Sequence, residues 1–213
     1  MISRSRVRLA LALATLLVLG GCSVLPKPAP PRATYDLGPP PGSPIKTLPA
    51  TLHLKDVTAP GWMDNTDMFY RLAYANDTRV RAYSRSRWVA APASLFEQRL
   101  QAFYTVRSTT GSGASSSQGA GHEVTLRLDR FEQIFTAPKI AHVDLRLRAS
   151  VYDSDGEVVA ERTFSGREPC VTPDAQGGVK ALSELSDRII RHFLSWVTRR
   201  PWAQGARSND SQG

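Results

Sequence analysis

Two stretches in the second half of the chain leave the backbone little choice. In "HEVTLRLD", Val124, Leu126 and Leu128 alternate with Glu123, Thr125, Arg127 and Asp129. Val143, Leu145, Leu147, Ala149 and Val151 repeat the alternation over a longer run. Side chains of period two line opposite faces of a strand, so each stretch predicts a strand with one apolar and one polar face. "DSDG" (Asp153 to Gly156) predicts a turn into a further strand, "EVVAERTF". A sheet with one apolar face needs a second layer to cover it. Near the C-terminus, Leu182, Leu185, Ile189, Phe193 and Trp196 form an apolar stripe at helical spacing, with Glu184, Arg188 and Arg191 opposite. Glu184–Arg188 and Asp187–Arg191 stand at the favourable i, i+4 spacing.

The first half adds shorter elements. In "TLHLKDV", Leu52 and Leu54 alternate with polar residues. "FYRLAY" (69–74) and "RVRAY" (79–83) flank Asn76-Asp77 and predict a hairpin. Ser94 and Glu97 match a capping box, and Phe96, Leu100 and Phe103 share one face of the helix that would follow. The pattern predicts one α+β (α/β) domain over residues 51–198: a mostly antiparallel or mixed sheet with two amphipathic helices packed on it. "STTGSGASSSQGAG" (108–121) reads as a low-complexity exposed loop, and residues 199–213 as a polar disordered tail.

The N-terminus is of another kind. Arg4, Arg6 and Arg8 precede eleven uncharged residues, Leu9 to Leu19, then Gly20, Gly21 and Cys22. The run is too short to span a bilayer, which takes about 20 apolar residues. A basic start, a short apolar core and small residues mark residues 1–21 as a secretory signal peptide. Leu19-Gly20-Gly21-Cys22 resembles the bacterial lipobox, which makes Cys22 the expected site of lipidation. Residues 22–50 then read as a tether rich in proline, with Pro26, Pro28, Pro30 and Pro31 followed by "GPPPGSP" (38–44). Ser23 stands where an aspartate would signal retention at the inner membrane, so the expected site is the inner leaflet of the outer membrane, facing the periplasm.

The net charge is +8, and the three leader arginines account for part of it, leaving +5 beyond residue 21. With an export signal present, this excess points to anionic lipid or acidic protein faces and away from nucleic acid. If Cys22 carries lipid, Cys170 has no disulfide partner within the chain. The four histidines (53, 122, 142 and 192) lack metal-ligand spacing, and "DSDG" lacks the sixth-place glycine and twelfth-place glutamate of a calcium loop. No nucleophile motif is present. These features predict no enzyme activity, no metal and no cofactor.

One stretch carries a binding signal. "TRVRAYSRSRWVAAP" places Arg79, Arg81, Arg85 and Arg87 around Tyr83 and Trp88. Arginine beside aromatic rings suits phosphate, carboxylate or acidic protein surfaces. A solvated strand face with Trp88 packed in the core fits the same residues, and both readings stand at this point.

The lipobox, the tether, "YDL" (Tyr35 to Leu37) and the segment "YRLAYANDTRVRAYSRSRWVAAPASLFEQRL" together resemble the ABC-type transport auxiliary lipoprotein family, through Tyr70, Tyr83, Trp88, Pro92 and Leu95. The family includes the lipoprotein of paraquat-inducible, MCE-type lipid transport systems. The resemblance implies a membrane-anchored periplasmic subunit that assists an MCE-domain protein with its ABC permease and ATPase in moving lipids or other apolar molecules. A structural or assembly lipoprotein of an envelope complex is the alternative.

Overall fold

In the computed structural model, residues 31–40, 42–107 and 121–199 are described. The expected signal peptide, Cys22 and the tether as far as residue 30 lie outside them, as do residues 108–120 of the expected loop and 200–213 of the tail.

The long alternating stretches form the centre of the sheet. β7 (His122–Ala137) and β8 (Ile140–Tyr152) make an antiparallel hairpin, and β9 (Val158–Pro169) pairs antiparallel with β8. The turn between β8 and β9 is the expected one: Asp153 Oδ1 accepts from the backbone N–H of Asp155 and Glu157, and Gly156 supplies φ +82°. The other edge of β7 is shared by two parallel strands. β3 (Leu52–Thr58) takes its first half and β4 (Asp67–Leu72) its last part. β4 forms the expected hairpin with β5 (Asn76–Trp88), and β1 (Ala33–Tyr35) pairs in parallel with the end of β5. A separate small sheet joins β2 (Lys46–Leu48) to β6 (Tyr104–Val106).

Val124, Leu126, Leu128 and the odd-numbered residues from Val143 to Val151 are all buried on one face. Two helices cover that face, α1 (Pro92–Gln101) and α2 (Ala175–Val197). The predicted stripe of α2 is buried along its whole length, and its Phe193 and Trp196 meet Phe164 of β9 edge-on at 6.0 and 5.7 Å. Burying such side chains contributes roughly 1.5–3 kcal/mol each.

Several expectations need correction. The domain does not begin at residue 51: β1 and β2 join sheets, and Leu37 and Leu48 are buried in the core. The capping box does not form. α1 starts at Pro92, whose absent N–H costs nothing in a first turn, and Glu97 instead accepts from Val57 N–H at 3.2 Å. The ion pairs of α2 run to other elements rather than along the helix. Arg188 donates to Glu168 at 2.6 Å, and Asp187 accepts from Arg99 of α1 at 2.5 Å.

Candidate partner interface

The arginine-rich stretch is β5, which turns out to be an edge strand. β4 takes one edge of β5, while β1 pairs on the other only at Ser86–Trp88. Among the described residues nothing pairs with the second edge between Asn76 and Arg85. Pro31 bears on this limit, since proline has no N–H to extend a ladder upstream of Ala33.

The hairpin tip is fixed from both sides. Asn76 Oδ1 accepts from Thr78 N–H, Thr78 Oγ1 and Arg79 N–H at 3.0, 2.8 and 3.2 Å, an Asx turn that starts the strand. From β4, Arg71 donates to the carbonyls of Asp77 and Thr78 and to Glu132 Oε2, the last at 2.7 Å.

The six residues singled out in the sequence are placed differently from one another. Arg79, Arg85 and Arg87 are exposed, and Arg81 is half-buried. Arg81 and Tyr83 share the helix-covered side of the sheet, as alternation requires, while Arg71 and Val80 lie on the other side. Tyr83 packs on Tyr70 with ring centroids 4.7 Å apart, and its hydroxyl donates to Gln133 Oε1 at 2.8 Å. Trp88 is not part of an interface. It is 2% exposed, packs on Phe131 and so takes the core role that the sequence left open. A bulge between Ala82 and Arg87 shifts the alternation, so that Tyr83 and Trp88, five positions apart, both face inward.

Behind the strand, Gln133 Nε2 donates to Cys170 Sγ at 3.3 Å and to the carbonyl of Asp174 at 3.2 Å. Burial pushes the Cys170 thiol above its ordinary range, against the opposing effect of the Gln133 hydrogen bond. Burial raises the Tyr83 phenol further, with Tyr70, Asp174 and Cys170 adding to it. Both groups stay protonated near neutrality, and a protonated thiol is neither a nucleophile nor a metal ligand. Among the described residues, no three His, Cys, Asp or Glu side chains come together as a metal site. The chemistry available here is recognition of carboxylates or phosphates by guanidinium groups.

Sequence reasoning missed a second feature, the clamp on the "YDLGP" segment that follows β1. Arg99, only 7% exposed, donates from Nη1 to the carbonyls of Leu37, Gly38 and Pro39 at 2.7, 3.0 and 3.4 Å. Its Nε meets Asp187, and Ser183 Oγ donates to Leu37 O at 2.5 Å. Both helices therefore grip the chain where it enters the domain. Beside the clamp, Tyr35, Val89, Val179 and Lys180 line an open groove of about 570 Å³.

A family model described as the ABC-type transport auxiliary lipoprotein component matches residues 35–192, from the last residue of β1 to the last turns of α2. The chain belongs to this family. Among solved structures it is similar to protein XCC0632 from Xanthomonas campestris, at 19% identity and a TM-score of 0.57, over 79% of this chain and 91% of that one. It also resembles an uncharacterized protein at 12% identity and a TM-score of 0.58, over 79% of this chain and 99% of that one. At these identities the likeness speaks for a shared fold. No curated protein matches the sequence significantly. In this transport auxiliary lipoprotein, the matched segment contains both the β5 edge and the clamp.

Proposed function

We propose that this chain is a lipid-anchored auxiliary subunit of an MCE-type ABC transport system that moves lipids or other apolar molecules across the envelope. Cys22 carries the anchor, and Ser23 directs the protein to the inner leaflet of the outer membrane. Its role is to bind its partners and not to catalyse. The observation that carries the reading is the open edge of β5, where Arg79, Arg81 and Arg85 line unpaired backbone in a member of a transport auxiliary family. An acidic surface of the MCE-domain protein is the partner such an edge fits.

Affinity capture from solubilised envelopes tests it. Wild-type protein should retain the MCE subunit with its permease and ATPase, and retention should weaken as salt rises. Arg79→Ser with Arg81→Ser should lose most of the capture while melting normally. Equal capture by the double variant at low salt would remove these arginines from the interface. Retention of outer-membrane assembly proteins in place of transporter subunits would favour the assembly role.

A further inference from the structure

One end of the sheet differs in kind from the other. Adjacent strands turn or end there together: Ala73 N–H donates to Phe135 O, Ala137 pairs with Ile140, and Cys170 N–H donates to Ala141 O. Each of the three loops at this end puts a large apolar side chain into solvent: Tyr74 (49% exposed), Ile140 (63%) and Val171 (83%). Around them stand Lys139, Arg79 and Arg81, with Asp77 as the acidic residue of the hairpin turn. Asp174 is engaged, accepting from Gly177 N–H as the N-cap of α2. The opposite end of the β8–β9 hairpin carries Asp153, Asp155 and Glu157. Val158 and Val159 are exposed beside these acids, so the two ends differ in charge, one with a basic rim and the other acidic.

We infer that the end formed by Tyr74, Ile140 and Val171 docks on the surface of the membrane, its apolar side chains entering the headgroup layer and Lys139 meeting anionic lipid. Apolar side chains backed by lysine and arginine are what binding at an anionic bilayer surface requires. The direction of the chain agrees. β1 runs parallel to β5, so the polypeptide reaches Ala33 from the side of the β4–β5 turn. β5 spans roughly 33 Å from Asn76 to Ser86 at its rise per residue. The eleven residue steps from Cys22 to Ala33 amount to at most about 34 Å of chain. An acyl group on Cys22 can therefore enter a bilayer lying at this end. The inference rests on the lipid-anchor reading.

The test uses the full acylated chain in vesicles of phosphatidylethanolamine with a minority of phosphatidylglycerol. A polarity-sensitive dye is attached at Ile140→Cys or, as a control, at Asp155→Cys, each with Cys170→Ser; Ile140 is the exposed first residue of β8 and Asp155 lies in the exposed β8–β9 turn. The dye at position 140 should shift to the blue and lose most of its emission to spin-labelled lipid, while the dye at 155 stays wet. A chain that floats with the vesicles yet shows the two positions equally wet overturns the docking surface alone. A chain that does not float overturns the lipid anchor, and the docking geometry with it.

Discussion

Replacing Arg99 by Met should test whether the clamp holds the entering chain to the domain. Methionine keeps most of the apolar stem and removes the guanidinium. Asp187, 17% exposed, would lose the partner that now lies 2.5 Å away. Removing one member of a buried pair costs about 3–5 kcal/mol, because the other charge is stranded. Asp187 keeps some access to water, and Leu37 O keeps its hydrogen bond from Ser183, which places the expected cost near the lower end, about 3 kcal/mol. With a urea dependence of about 2 kcal/mol per M for a domain of this size, the midpoint should fall by roughly 1.5 M. Asp187→Asn keeps an acceptor but removes the counter-charge of the more buried Arg99, and should cost about 2 kcal/mol. The double variant Arg99→Met with Asp187→Leu leaves no stranded charge and should be more stable than Arg99→Met alone. Proteolysis should cut the single variant between residues 37 and 45 well before wild type. A loss under about 1 kcal/mol for Arg99→Met, or a double variant whose losses simply add, would refute the coupling on which this reasoning depends.

Other expectations follow from single contacts. Tyr83→Phe leaves Gln133 Oε1 without its donor and should cost about 1 kcal/mol in urea titrations; no change would mean that the hydroxyl bond is dispensable. Gly177→Ala gains about 1 kcal/mol of helix propensity, yet its Cβ would lie 2.0 Å from the backbone oxygen of Thr172, so the thermal midpoint should drop and not rise. Burial, with the charge of Arg167, lowers the His142 pKa from 6.5, so the unfolded chain binds a proton first and stability should decline as pH falls below 6.5. Burial raises the pKa of Cys170 from 9.0 and that of Tyr83 from 10.0, so the unfolded chain releases protons first and stability should also decline from about pH 9 upward. Thermal melts across pH check both limbs, and His142→Gln should flatten the acid limb only.

The strands of the central hairpin and the stripe of α2 were legible because burial of one face imposes a period, and Val124–Leu128, Val143–Val151 and Leu182–Trp196 display it. β1 and β2 were not. Each is three residues long and the two stand on either side of a proline cluster, so neither shows a period; only pairing with β5 and β6 makes them strands. Arg99 gave no signal either. An arginine in an amphipathic helix reads as solvent-facing, and its burial comes from three carbonyls some 60 positions away and a carboxylate 88 positions away. The arginines of β5 were visible as a group, but their division between the two faces depends on a bulge that the sequence does not mark. Asp174 was not read from the sequence either: as the N-cap of α2 it stands eight residues before the first residue of the apolar stripe, Leu182.

The face of the sheet away from the helices narrows where partners can bind. Glu132 is 1% exposed and Asp144 7%, yet both lie on this side, covered by arginines. Arg71 reaches Glu132 at 2.7 Å, Arg130 reaches Asp144 at 2.9 Å, and Arg148 and Arg127 meet Asp129 at 3.4 and 2.9 Å. A second apolar layer here would have to strip water from this whole mat, at several kcal/mol per ion. The sheet is therefore backed on one side only, and its edges and ends remain for recognition. A bare β5 edge would invite pairing between copies of the chain. Arg79, Arg81 and Arg85 oppose that, because two such edges brought together set guanidinium groups against each other. The same three charges admit a strand that brings carboxylates. On the proposed function, the three arginines disfavour pairing with a second copy and favour an acidic partner strand, a selectivity that would suit an auxiliary subunit.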